Sequence, residues 1–134
     1  MTKILIVSAT EFPEKVVDKE QGPEVFEWSK EVKFENSAFL GRLEGRILYE
    51  YCNWSGFIRL RMEVYDDEQV YFNGVLYVLR SNFRTAIARY KDTKEFKIPI
   101  KLRIKAQDKL RVTITVNALT GWIRLSLKDL RITP

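Results

Sequence analysis

Between Phe96 and Ile132 the chain reads FKIPIKLRIKAQDKLRVTITVNALTGWIRLSLKDLRI, with apolar residues alternating against Lys, Arg and Thr for almost the whole length. A period of two places successive side chains on opposite faces of an extended backbone, so the stretch predicts β-strands that bury one face. Ile98, Ile100, Leu102 and Ile104 form one inward row, with Lys97, Lys101, Arg103 and Lys105 opposite. Residues Ala106 to Lys109 turn the chain, and Leu110, Val112, Ile114 and Val116 return on the inner face. A loop is expected at Asn117 to Gly121, then a row of Ile123, Leu125 and Leu127, then a register break at Lys128-Asp129 before Leu130 and Ile132. Pro99 donates no ladder hydrogen bond and predicts an edge strand or a bulge.

Upstream the pattern is shorter-ranged. Lys3 to Val7 reads as a strand. From residue 8 to 37 it breaks down into an acidic, irregular extended segment, with short strands at Val25 to Trp28 and Val32 to Phe34 and a turn signal at Gln21 to Pro23. A helix over Glu14 to Glu20 would be short and uncapped. Strands follow at Arg46 to Cys52 and Phe57 to Tyr65, the latter with Ile58, Leu60, Met62 and Val64 on one face and Arg59, Arg61 and Glu63 on the other. Asp66-Asp67-Glu68 supplies a turn, and Asn73-Gly74 between apolar runs carries a hairpin signal because both turn positions need positive φ. Phe83 to Tyr90 reads as a further strand or as one or two helical turns. Eight to ten short strands with frequent turns predict an all-β fold. The expected form is an antiparallel β-sandwich or jelly roll with an irregular N-terminal segment.

Composition fits one domain spanning 1–134: 46% hydrophobic, 31% charged, and only 6 Gly and 4 Pro. The longest apolar runs, such as Ile4 to Val7, are far below the ~20 residues of a membrane-spanning helix, so no membrane insertion is expected. The same patch is too short for a signal peptide and reads as a first strand. There is no histidine and one cysteine, Cys52, in an apolar-aromatic setting that reads as a buried, inert thiol. That removes His-based acid–base chemistry, Cys/His zinc sites and internal disulfides. No phosphate-binding glycine loop, nucleophile elbow or dinucleotide fingerprint is present. Neither a catalytic set, a cofactor nor a metal is therefore expected.

Charge is divided. Residues 1–56 carry seven Lys/Arg against ten Asp/Glu, and 57–134 carry sixteen against eight, giving −3 and +8 within the net +5. Such a split predicts an anionic partner for the C-terminal part, acid-to-base docking between copies, or simply solvated strand faces. Asp66-Asp67-Glu68 lacks the spaced oxygens and glycine of a calcium loop and reads as a solvated turn. Trp28, Trp54 and Trp122, with Tyr49, Tyr51, Tyr65 and Tyr71, would make a sugar-stacking platform if exposed in a row, or core and rim residues if not. Arg59, Arg61, Arg84, Arg89, Arg103, Arg111, Arg124 and Arg131 would make a single-strand nucleic-acid surface if they gathered on one sheet. Glu50 with Glu63 is the one carboxylate pair weighed for glycoside hydrolysis, without a supporting motif.

At Ile98 to Val116, IPIKLRIKAQDKLRVTITV, the strand, the "x-A-x-D-x-L-x-V-x-I" turn and the return strand resemble jelly-roll and β-sandwich structural proteins of tailed phages and related viruses: capsid decoration, spike and tail components. The same turn chemistry occurs in carbohydrate-binding sandwiches. The resemblance implies a non-enzymatic virion component that associates with itself or with other structural subunits. It implies no catalytic residues, and a place in the virion, or otherwise a soluble intracellular protein. Under that reading Phe26, Trp28 and Phe34 are the apolar contacts of the N-terminal arm, and Arg59, Arg61 and Arg103 receive its acids. A carbohydrate-binding module and a single-stranded nucleic-acid-binding domain stand as the alternatives.

Overall fold

A computed structural model describes residues 4–11, 15–16, 24–80 and 90–134. The described residues form seven strands: β1 (Ile4–Glu11), β2 (Lys15–Val16), β3 (Glu24–Lys33), β4 (Ala38–Tyr65), β5 (Val70–Arg80), β6 (Tyr90–Ile104) and β7 (Lys109–Thr133). Every pairing among them is antiparallel.

Two of these strands organise the rest. β4 (28 residues) and β7 (25 residues) pair with each other over nearly their full lengths, from Arg42↔Thr133 to Tyr65↔Lys109. The N-terminal half of β4 takes β6 as its other neighbour and the C-terminal half takes β5. Likewise β1 and β2 lie along the C-terminal half of β7, and β3 lies along its N-terminal half. The result is two four-stranded sheets that share both long strands, β1–β7–β4–β6 and β3–β7–β4–β5. A long antiparallel ribbon folded over in this way is a jelly roll.

Both long strands bend at the crease between the sheets. Asn53 and Gly121 sit there with φ of 53° and 71°, and the register shifts twice between Cys52 and Gly56. At Gly121 a Cβ would lie 2.3 Å from the carbonyl oxygen of Cys52, so neither the space nor the backbone conformation suits a side chain. Trp54 fills the crease, 2% exposed, and its indole N–H donates to the carbonyl oxygen of Asn117 at 3.0 Å.

The inner faces close on one core. Ile58, Leu60, Met62, Val64, Leu110, Val112, Ile114 and Val116 line one sheet and Leu43, Ile47, Ile123, Leu125 and Leu127 the other, all at 0–1% exposure. Each such side chain contributes roughly 2 kcal/mol by leaving water, which is why alternation decides the fold. Tyr77 of β5 stacks on Phe96 of β6 with ring centroids 5.5 Å apart, joining the sheets across the sandwich.

Several sequence expectations hold in detail. The turns fall at Asp66–Gln69 and at Ala106–Asp108. β6 is an edge strand, and beside Pro99 its Ile100 and Lys101 oppose the single Gly41, with Lys101 at φ 54°. The break at Lys128-Asp129 is a bulge with Asp129 at φ 55°.

Others are corrected. The Asn73-Gly74 hairpin does not form; both residues lie inside β5, and neither has positive φ. The physical reason is that Asp66 already turns the chain, its carboxylate accepting from the amides of Glu68 and Gln69 at 2.8 Å each. β4 then offers a ladder long enough to keep residues 70–80 extended. The Asn117 to Gly121 loop is likewise absent, because β7 bends there without leaving the ladder. Glu24–Lys33 is one ten-residue strand in place of two short ones. The Glu14 to Glu20 segment contains the two-residue strand β2; the rest of it, the Gln21–Pro23 turn and Phe83–Arg89 lie outside the described residues.

Candidate interaction face

The outer face of the β3–β7–β4–β5 sheet is set by register. Directly opposed residues in antiparallel strands point the same way, so five rows run across it. They are Val25–Asn117–Phe57–Arg80, Glu27–Thr115–Arg59–Val78, Ser29–Thr113–Arg61–Val75, Glu31–Arg111–Glu63–Asn73 and Lys33–Lys109–Tyr65–Val70.

One corner of this face is internally satisfied. Glu31 pairs with the Arg111 guanidinium at 3.4 Å and accepts from the Tyr65 hydroxyl, to which Arg111 also donates at 3.1 Å. Arg111 stacks over the Tyr65 ring at 5.3 Å. The Tyr65 hydrogen bond, with Arg111 and Lys109 nearby, holds the Glu31 carboxyl below its ordinary 4.5, while burial and then Glu31 push the Tyr65 hydroxyl up. Thr115 donates to Glu27 at 3.3 Å. The acids of the N-terminal segment thus meet the basic body within one chain, through Arg111, whereas the sequence pointed to Arg59, Arg61 and Arg103 and to a neighbouring copy.

The centre of the face is different. Arg59 lies over the Phe57 ring at 5.4 Å, and the Nε atoms of Arg59 and Arg61 are buried with no hydrogen-bond partner among the described residues. Exposed valines lie beside them on β5, Val75 at 45% and Val78 at 41%, and Thr115 and Thr113 of β7 lie on the other side. Guanidinium groups held by their stems against apolar neighbours are preorganised donors for a carboxylate.

The remaining sequence candidates fall elsewhere. Phe34 is 6% exposed and belongs to this chain's own core, so its ring is not on offer to a neighbour. Trp28 is half-buried opposite Ile114 and packs against the core. The backbone of Phe26 pairs with Val116. Arg103 is exposed on β6, opposite Phe39 in the other sheet. Of the arginines singled out from the sequence, Arg59, Arg61 and Arg111 share a face, joined there by Arg80, while Arg103, Arg124 and Arg131 lie on the other sheet. Arg84 and Arg89 lie outside the described residues.

The aromatic platform is also redistributed. Tyr49, Tyr51 and Trp54 cluster at the crease with Tyr49 and Tyr51 stacked at 5.8 Å, but all three are buried. Beside them a shallow cleft of about 490 Å³ is lined by Tyr49, Glu50, Lys91, Asp92, Thr93 and Arg124. In it the Tyr49 hydroxyl donates to Asp92 at 3.2 Å and Lys91 pairs with Glu50 at 3.2 Å. The backbone amide of Thr93, then Lys94 and Tyr49, hold the Asp92 carboxyl below its ordinary range. Glu50 and Glu63 lie in different sheets and form no pair. Cys52 is half-buried. No group of three or more His, Cys, Asp or Glu able to hold a metal occurs among the described residues. No helix among them is long and apolar enough to cross a membrane.

No protein-family model matches the chain, and no curated protein does. Among solved structures it is similar to the infectious bursal disease virus Gt strain structure, at 9% identity and a TM-score of 0.41 over 98% of this chain and 38% of that one. It is also similar to dimeric latent PorU from Porphyromonas gingivalis, at 16% identity and a TM-score of 0.34 over 95% of this chain and 13% of that one. A third likeness is to the C-terminal CBM6 of LamC from Zobellia galactanivorans, at 12% identity and a TM-score of 0.32 over 95% of this chain and 98% of that one. This chain therefore spans well under half of the viral chain. None of the three is a tailed-phage protein, and at these scores no residue or role transfers from them.

Proposed function

We propose that the chain is a non-enzymatic structural domain, a virion component that docks on other protein subunits through the outer face of its β3–β7–β4–β5 sheet. The observation that carries this reading is the centre of that face. Two arginines whose buried Nε atoms have no partner among the described residues lie beside exposed Val78 and Val75, while Glu31 of β3 is engaged at Arg111. Fixed cations beside exposed valines fit a subunit that offers carboxylates next to apolar side chains, and such docking weakens with salt.

Light scattering with sizing chromatography, at low and high salt, tests it. The expected result is a discrete oligomer, or a larger particle, that loosens with salt and disperses in the double variant Arg59→Glu/Arg61→Glu. An assembly unchanged by both salt and charge reversal would overturn the role of this face.

The carbohydrate-binding alternative draws on a separate observation, the cleft of about 490 Å³ whose polar side chains surround Tyr49. It predicts a monomer, and a shift in Trp54 fluorescence on adding soluble polysaccharide, because Trp54 touches Tyr49 edge-on at 6.5 Å.

A further inference from the structure

We infer that the β6 side of the β1–β7–β4–β6 outer face binds single-stranded nucleic acid, with Phe39 as a stacking ring and Lys97, Lys101 and Arg103 as phosphate contacts. This surface lies on the sheet opposite the docking face proposed above and does not depend on that reading. Along β6 the residues alternate. Ile98, Ile100 and Leu102 pack on the core and Ile104 is buried, so Lys97, Pro99, Lys101 and Arg103 point outward, and all four are exposed. Phe39 of β4 lies directly opposite Arg103 and is 47% exposed. Directly opposed residues share a face, so ring and guanidinium stand side by side.

Two observations make this row available to a ligand. First, none of Lys97, Lys101 and Arg103 forms an ion pair among the described residues. The carboxylate opposite Lys97 is that of Glu44, which Arg42 and Arg131 already hold at 2.7 Å each. Glu95, the nearest acid along the row, lies on the side of Lys97 away from Lys101 and sits opposite Arg46. The pairing that closes the charges of β4 and β7 on this face therefore stops short of these three residues of β6. Second, a hollow of about 470 Å³ opens beside Phe39, with Pro99 and Pro134 as further apolar walls and Arg42, Lys97 and Lys101 as basic ones. No acidic side chain lines it, and with the Pro134 carboxyl group counted against them the cations still prevail.

The shape of the row selects the ligand. One phosphate or carboxylate needs cations that converge on a point, whereas these spread over roughly 20 Å from Lys97 to Arg103, at ~3.3 Å per residue. A linear row of cations fits an anion whose charges repeat along a chain. The exposed ring beside them adds a flat apolar face on which a base stacks, and stacking together with a cationic track is how single strands are held without sequence preference. In a duplex the bases are already stacked on one another and meet a protein only through the grooves, so the ring favours a single strand. An acidic protein segment or an anionic polysaccharide would satisfy the cations as well, and both enter the test.

Fluorescence anisotropy of a labelled oligothymidylate over a salt series tests the surface. Binding is expected at low salt, with affinity falling by about two log units per log unit of salt, the slope for three single-strand phosphates. The variant Lys97→Gln/Lys101→Gln/Arg103→Gln should lose both the binding and the slope. Phe39→Ala should weaken binding by about tenfold and keep the slope, because it removes stacking and no charge. Arg59→Gln/Arg61→Gln, on the other sheet, should bind the oligonucleotide as the parent does. The substituted side chains are exposed, so an unchanged circular dichroism spectrum separates lost binding from lost folding. No binding at low salt, or binding that survives the triple substitution, would overturn the inference. So would a Phe39→Ala variant that binds as tightly as the parent, or one that loses labelled polyglutamate or heparin as much as it loses the oligonucleotide. None of these outcomes touches the docking face, which is read by light scattering of the unliganded protein.

Discussion

The outer faces of the two sheets are both rich in charge, yet they solve the electrostatic problem differently. On β1–β7–β4–β6, Glu44 is clamped between Arg42 and Arg131, each at 2.7 Å, with its side chain 7% exposed. Asp129, turned by the bulge, accepts from Arg46 at 2.5 and 2.9 Å. Lys91 covers Glu50. Even Arg131, whose Nε lacks a partner among the described residues, spends its other nitrogens on Glu44 and on the carbonyl oxygen of Asp129. On β3–β7–β4–β5 that closure stops after the Glu31–Tyr65–Arg111 corner, and Arg59 and Arg61 stand between the valines of β5 and the threonines of β7. Net charge does not separate these cases. The difference lies in closure: Glu44 meets Arg42 two residues away on β4, whereas Glu63, likewise two residues from Arg61 and on its face, forms no ion pair with it.

The contrast depends on the crease that holds the two faces apart, so breaking the crease should have the largest effect. Gly121→Ala puts a Cβ against the Cys52 carbonyl in a backbone conformation that side chains resist. A loss of roughly 3 kcal/mol is expected, seen as a lower midpoint in denaturant with an unchanged slope. Because β4 and β7 run through both sheets, the two should melt together. Separate transitions for Trp54 fluorescence and far-ultraviolet circular dichroism would show that the sheets are independent.

Next in size is the closed face. Glu44→Ala leaves Arg42 and Arg131 facing each other with no carboxylate between them, and should cost about 2 kcal/mol; the full penalty of a buried pair is reduced because both arginines reach solvent. A thermal midpoint within experimental error of the parent would mean that this network is decorative. On the open face the expected result is the reverse. Arg59→Gln/Arg61→Gln, which adds no like charge beside Glu63, should change stability by less than about 0.5 kcal/mol, since no carboxylate partner is lost, while assembly weakens. Destabilisation comparable to Glu44→Ala would show that the arginines serve the fold rather than a partner.

Much of this architecture was legible in the sequence. The rows Leu110–Val116 and Ile123–Leu127, the Asp66 turn, the edge character of β6 and the bulge at Asp129 all follow from period and local turn chemistry. What failed to read through depended on partners distant in the chain. Asn73-Gly74 is a hairpin signal only if the flanking runs pair with each other, and here both pair with β4. Asn117 to Gly121 has loop composition, yet β4 accompanies it around the bend. The acidic N-terminal segment and the basic body are complementary, as their charges implied, but β3 lies on β7 of the same chain, and its carboxylate reaches Arg111. Of the six contact residues read from sequence, Arg59 and Arg61 share one face because they are two apart on one strand. Phe34 went into the core, where an aromatic beside a turn gives no sign of its fate.

The smallest expected effect sharpens the boundary between the closed corner and the open centre of the second face. Glu31 is held ionised below its ordinary 4.5 chiefly by the Tyr65 hydroxyl, then by Arg111. A carboxyl whose pKa is depressed on folding adds stability that is complete above its unfolded value and fades as pH falls through the folded one. Both partners are 40% exposed, so solvent and salt keep the contribution below about 1 kcal/mol. Glu31→Gln should therefore be slightly less stable than the parent at neutral pH, and the two should converge as pH falls below 4.5 and through the lowered folded value. The same variant removes the carboxylate that Arg111 pairs with, leaving Glu63 opposite it, while Arg59 and Arg61 are untouched. If Arg111 then behaves as they do, salt-sensitive association should strengthen as a third guanidinium becomes available. If association is unchanged, the docking surface ends at Arg61, and the Glu31–Tyr65–Arg111 corner serves only to fix β3 on β7.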